Sequence, residues 1–256
     1  MSNFLILAFL FSMGCLIGWG IEVLFRRFQP SNKEHRWINP GFLAGPYLPL
    51  YGFGLCTLYL LAGLEKYIYT NNPLLQKILL FALMAVAMTI IELIAGEIFI
   101  VKMHVKLWDY TDNRGNYKGI ICPLYSFIWA VLGAVYYFLI HPHILNALAW
   151  LAENLVFSFA IGFFYGIFCI DLWRSLEIAN KIKKFATEND MIIRYEEFKR
   201  HRKEVTEAKK QKYRFMISNL SEIELSEQLA KYLEKQREQQ KYNKINDFIE
   251  KKIKKN

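Results

Sequence analysis

The sequence predicts an all-α protein, a polytopic membrane helix bundle of about five transmembrane helices followed by a helical cytoplasmic tail. Three observations predict it. The chain is 54% apolar, and almost all of its long apolar runs precede Arg174. Five runs approach the ~20 residues that a helix needs to cross a hydrocarbon core of about 30 Å. The net charge of +9 is unevenly divided, with 10 Lys and Arg against 9 Asp and Glu in 1–173 but 22 against 14 in 174–256. Two domains follow: a transmembrane domain, 1–173, and a basic helical tail, 174–256, with coiled-coil character.

The first span, 3–25, has no basic residue ahead of it, and Arg26 and Arg27 follow it, the pattern of a retained anchor. The second, 41–62, opens with Gly41-Phe42-Leu43-Ala44-Gly45-Pro46-Tyr47-Leu48-Pro49-Leu50-Tyr51-Gly52-Phe53-Gly54. Pro46 and Pro49 remove two amide donors, and Gly45, Gly52 and Gly54 loosen the backbone. A broken or re-entrant span is one expectation; a Pro-kinked helix with glycines for close packing is the other. The remaining spans are 76–101, 120–140 and 150–173. Placing the N-terminus outside puts twelve Lys and Arg in or beside the inner loops and leaves Lys66 and Lys77 outside, so the positive-inside rule gives an N-out, C-in chain. Trp37, Trp108, Trp150 and Trp173 near span ends suit an interfacial belt. The expected location is the cell (plasma) membrane, with multiple passes and the tail in the cytoplasm.

The tail has no Gly and no Pro, which favours helix. Ile178, Ile182 and Phe185 continue the fifth span at helical spacing, and Leu225, Leu229 and Leu233 form a second stripe after a break near Asn219, with Ser221 and Glu224 as a capping box. Its basicity points to anionic lipid head groups, and no zinc-finger spacing or other recognition motif suggests nucleic acid. Cys15, Cys56, Cys122 and Cys169 lie in or beside apolar segments, as buried thiols do, and not in a disulfide framework. No metal or cofactor set is evident, and neither H-E-x-x-H nor a phosphate loop G-x-x-x-x-G-K-[ST] occurs.

Polar residues mark a candidate site. Glu22, Glu92, Glu97 and Asp171 fall late in their spans, all toward the cytoplasmic side on this topology. Acids inside a bilayer cost at least ~2.5 kcal/mol on insertion scales and usually face a bundle interior or cavity. The loop Leu107-Trp108-Asp109-Tyr110, continuing to Asn116, is rich in turn formers and aromatic anchors. It is expected beside the second span's Gly41, Gly45, Pro46, Pro49, Tyr51, Gly52 and Gly54. Together Glu22, Glu92, Glu97, Trp108, Asp109, Tyr110 and Asn116 are expected to line a polar vestibule. If the third helix continues, Glu97 and His104 share a face, as an acid and histidine pair would.

Gly18-Trp19-x-x-Glu22, GFLAGPYLPLYGFG at 41–54, Glu92 with Glu97, and LWDY at 107–110 with Asn116, Gly119 and Cys122 together resemble the family described as putative ABC transporter permease, type IV. The resemblance covers about residues 10–142. Pro123 and Thr111 depart from its pattern, and the tail lies outside it. It implies a bacterial multi-spanning membrane protein. Three functions stay open: a permease or transport component needing a separate ATPase if ATP-driven, a scaffold or sensor acting through the tail, and an intramembrane enzyme on a lipid-like substrate. The corresponding partners are the lipid bilayer, such an ATPase or another cytoplasmic protein, and a second copy of the chain as a homo-oligomer.

Overall fold

A computed structural model describes residues 2–29, 32–189, 192–201 and 229–237. Among the described residues up to Glu188, six α-helices follow one another: α1 (Asn3–Phe28), α2 (Pro49–Ala62), α3 (Pro73–Gly96), α4 (Pro123–Val135), α5 (His141–Glu153) and α6 (Ser158–Glu188). A two-residue strand β1 (Val105–Lys106) pairs in parallel with β2 (Ile193–Arg194).

Among the described residues, four helical stretches are long and apolar enough to cross a membrane: Asn3–Phe28, Pro73–Lys102, Pro123–Glu153 and Leu155–Glu188. Their outward faces carry Ile21, Phe25, Ile90, Ile94, Phe127, Phe138, Phe159 and Phe163, all more than a third exposed. In water so much apolar surface would be a liability; against lipid it is the expected exterior.

The second expected span divides in two. Residues 37–48 are unwound, with Gly41 at φ +78°, and α2 begins at Pro49, where a missing amide costs nothing. The 14 residues of α2 reach about 21 Å at 1.5 Å per residue, too short to cross alone. Both sequence expectations therefore apply, each to its own half. The stretch before Pro49 is broken. Gly52 instead packs closely: a Cβ there would lie 2.6 Å from the Cys15 Sγ and 2.8 Å from the Phe11 carbonyl oxygen.

The fourth and fifth spans differ from their expected bounds. The segment 141–149, expected as a loop, is helical and joins α4 to α5 through a π-helical turn at Tyr136–Ile140. Pro142 explains both the expectation and the outcome. Its ring and missing N–H disrupt a regular α-helix, and a wider turn ahead of it lets the rod continue. The reversal instead occurs at Asn154 and the 3-10 turn Leu155–Phe157. At 31 residues, about 46 Å by the same rise, α6 overruns a bilayer core. Its second half changes character, burying Ser175, Ala179, Ile182 and Ala186 at every third or fourth position.

Those residues pack on the described part of the tail. Ile193 and Phe198 are fully buried beside Val105, Ala179 and Ile182, and Leu229 and Tyr232 close the same cluster. Each such apolar side chain contributes roughly 2 kcal/mol of burial. Leu229 and Leu233 lie in a helical stretch at 229–237, whereas Asn219, Ser221, Glu224 and Leu225 fall outside the described residues.

Candidate functional site

The end of the bundle where α1, α3 and the spanning part of α6 finish, and where α2 and α4 begin, gathers most of the polar residues. Gly18 sets the approach there. A Cβ on it would stand 2.2 Å from the Tyr51 Cβ, so only glycine lets the Tyr51 ring lie against α1. From that position the Tyr51 hydroxyl donates to Glu22 at 2.9 Å. Arg26, one turn on, donates to the other Glu22 oxygen at 2.7 Å.

Glu92 is the deepest acid, 3% exposed. Its two oxygens accept from the Tyr110 hydroxyl at 2.8 Å and the Trp129 indole N–H at 3.2 Å. No ion pair reaches it among the described residues. The Tyr51 and Trp129 rings meet edge to face at 6.3 Å, so Glu22 and Glu92 belong to one aromatic-bridged network. Tyr110 stacks on Tyr125 at 4.1 Å and 13°. Burial, followed by the Glu92 charge, pushes the Tyr110 phenol well above its ordinary range, which keeps it a donor.

The loop that delivers Tyr110 is built by residues expected to line the vestibule. Trp108 donates to the Ile120 carbonyl at 2.8 Å, and Ile120 seats against Gly96. Asn116 bridges the turn, donating to the Thr111 and Asn113 carbonyls and accepting from the Gly119 amide. Asp109 is ion-paired to Lys106 at 2.7 Å and accepts from the Thr111 amide and hydroxyl. Burial alone would raise its carboxyl; Lys106 and Thr111 outweigh that and hold it below the usual carboxylate range. Glu97 pairs with Lys118 at 2.7 Å, both partly exposed.

The structure thus brings Glu22, Tyr51, Glu92 and Tyr110 together. It places Glu97, Trp108, Asp109 and Asn116 in loop bracing and ion pairs around them. The pairing of Glu97 with His104 on one face does not occur. The third helix ends in a π turn at Lys102, and His104 lies beyond it at φ +57°.

Asp171 has a role that its position alone did not disclose. From α6 it accepts from the amides of Ala44 and Gly45 at 3.3 and 2.8 Å, from the Tyr47 hydroxyl at 2.8 Å and from Ser175 at 3.2 Å. It therefore satisfies the amides that unwinding at 41–48 leaves open. Gly41 and Gly45 shape that stretch, a Cβ on Gly45 meeting the Tyr47 ring at 2.3 Å. Pro46 lies within it and Pro49 ends it. Gly54 packs against Met88.

Sequence reasoning missed the tail's part in the site. Glu196 accepts from Arg26, Tyr195 donates to the Phe42 carbonyl at 3.3 Å, and Lys199 donates to the carbonyls of Asn39 and Gly41 at 2.7 and 2.9 Å. Burial drives the Lys199 ammonium down to about 8, with Glu196 opposing and Arg26 reinforcing the fall. Burial likewise raises Glu196, against the pull of Arg26 and Lys199. A contact 170 residues apart in sequence leaves no local periodic signal. Among the described residues no three His, Cys, Asp or Glu side chains are grouped to hold a metal ion.

The fold and site define a class, a multi-pass α-helical membrane protein with an interhelical acid network at one end of its bundle. Residues 9–176 match the sequence model of the family described as "Putative ABC-transporter type IV", and the chain belongs to that family. No curated protein and no solved structure matches it.

Proposed function

We propose that the chain is a permease or transport component whose translocation site is the Glu22, Tyr51, Glu92 and Tyr110 network, opening toward the cytoplasm. The observation that carries this reading is Glu92, a buried carboxylate between α3, α4 and the Tyr110 loop with neutral donors as its hydrogen-bond partners. Uncompensated charge in a membrane interior is expensive and is generally kept for moving or binding something. The adjoining unwound stretch supports the reading, because irregular backbone at membrane depth is tolerated where it lines a site. The charge distribution of the loops supports the N-out, C-in orientation. With no phosphate-loop motif in its sequence, an ATP-driven version of this transporter uses a separate ATPase subunit, which would dock on the cytoplasmic face.

The test is flux. Proteoliposomes loaded with a soluble cell extract are compared by mass spectrometry for wild type and Glu92→Gln. Loss of at least one protein-dependent flux in the variant is expected; identical profiles for a folded variant would sink the reading. A scaffold or sensor role has one observation in its favour, the packing of tail residues 193–201 on the bundle end. It predicts that the tail alone retains the biological phenotype, whereas the transport reading requires the bundle.

A further inference from the structure

Residues 193–201 form a strap across the unwound stretch, and its two sides differ. The apolar side is an anchor: Ile193 and Phe198 are buried in the cluster shared with Val105, Ala179 and Ile182, and the Ile193 amide donates to the His104 carbonyl at 3.0 Å. The polar side presents Glu196 and Lys199, three residues apart and so on one face of a helical turn. Glu196 meets Arg26, whose side chain is only 16% exposed. Lys199 donates to two backbone carbonyls that unwinding has freed, those of Asn39 and Gly41.

A strap serving only to cap carbonyls has no need of a half-buried carboxylate, its side chain 28% exposed. Tyr195 already shows the neutral solution, donating a hydroxyl to the Phe42 carbonyl at 3.3 Å. Taking an acid and an ammonium out of water together is generally neutral or unfavourable compared with apolar packing. The depressed Lys199 and raised Glu196 pKa values have that penalty as their first cause. Arg26 also has Glu22 as a partner from its own helix, at 2.7 Å, so it keeps a counter-charge if Glu196 is withdrawn. With the backbone held by Ile193 and Phe198, rotation of two side chains would vacate both positions.

We propose that Glu196 and Lys199 are tethered stand-ins for a ligand that carries an acid group and a primary ammonium. The acid binds on Arg26 and the ammonium on the Asn39 and Gly41 carbonyls. Phosphoethanolamine, free or as a lipid head group, has this chemistry. The inference rests on the transport reading for its location and names the class of molecule the site admits.

The experiment uses the full chain in phosphatidylcholine nanodiscs, as wild type and as Glu196→Gln/Lys199→Met, titrated with phosphoethanolamine and with phosphocholine. Emptying a site blocked by its own side chains raises apparent affinity by the reciprocal of the fraction formerly open, here expected to be about tenfold or more. Phosphoethanolamine should gain this in the double variant and lose it when Arg26→Gln is added. Phosphocholine, which shares the phosphate but has no N–H to donate to the Asn39 and Gly41 carbonyls, should gain clearly less than phosphoethanolamine. Preferential retention of phosphatidylethanolamine over phosphatidylcholine by native mass spectrometry would assign a lipid source, and soluble binding without lipid preference a free one. If the double variant does not fold, Glu196→Gln alone is titrated with inorganic phosphate and should bind it more tightly than wild type. Equal binding of every probe by wild type and variant overturns the proposal. Flux that still depends on Glu92 in that case would show that only the ligand assignment has failed.

Discussion

Glu65 and Glu92 are both carboxylates held between helices, near opposite ends of α3, and they are answered differently. Glu65 lies in the turn after α2 and contacts the Lys77 ammonium and the Tyr137 hydroxyl. Lys77 also stands over the Tyr137 ring at 3.9 Å, and Tyr137 stacks on His141. There charge meets charge. Glu92 is instead hydrogen-bonded to a phenol and an indole. The first arrangement is a clasp between α2, α3 and the long rod of α4 and α5. The second leaves a buried acid with no counter-charge among the described residues, and that difference is why function is placed at Glu92.

The contrast can be broken at either end. Lys77→Met should destabilise most, by about 2 kcal/mol, because it strands a partly buried Glu65. The unfolding midpoint in mild detergent reports it, and an unchanged midpoint would mean that the clasp does not clamp. Tyr110→Phe should cost less, about 1.5 kcal/mol, since the Trp129 donor remains. Its larger effect should be on flux, and a variant that loses stability without losing flux would make Tyr110 structural.

A further expected effect concerns pH and the strap. Lys199 falls from 10.5 when free to about 8 when docked, so between these values the released strap binds more protons than the docked one. Docking therefore tightens as pH rises from about 8 toward 10.5 and is weakest below 8. A spin-label distance between Asp112→Cys and Glu234→Cys should sharpen over that window, and broadening instead would reverse the sign of the Lys199 contribution.

Much of the spanning architecture was legible because apolar runs of membrane length admit few alternatives. The unwound stretch at 41–48 was legible through Pro46, which lies inside it, and Pro49, which a helix accepts only in its first turn. Pro142 misled for the same reason, since a π turn can absorb a proline and composition does not reveal when it will. Within the site, Glu22 and Glu92 stood out as acids in apolar runs. Their convergence depended on Gly18 and Tyr51, a contact between helices that no single-helix pattern encodes. The five-residue spacing of Glu92 and Glu97, about 140° around a helix, already keeps them off one line, and Glu97 reaches Lys118. Glu196 and Lys199 were indistinguishable from the other charges of a highly charged tail.

The most direct measurement compares the unfolding free energies of wild type and Glu92→Gln in one bilayer-mimetic medium. Glutamine retains an acceptor for Tyr110 or Trp129 and removes the charge. If that charge is kept for function, the variant should be as stable as wild type or more so, as buried functional charges generally allow. A loss of 2 kcal/mol or more would make Glu92 a structural residue like Glu65 and contradict its placement at the centre of the site.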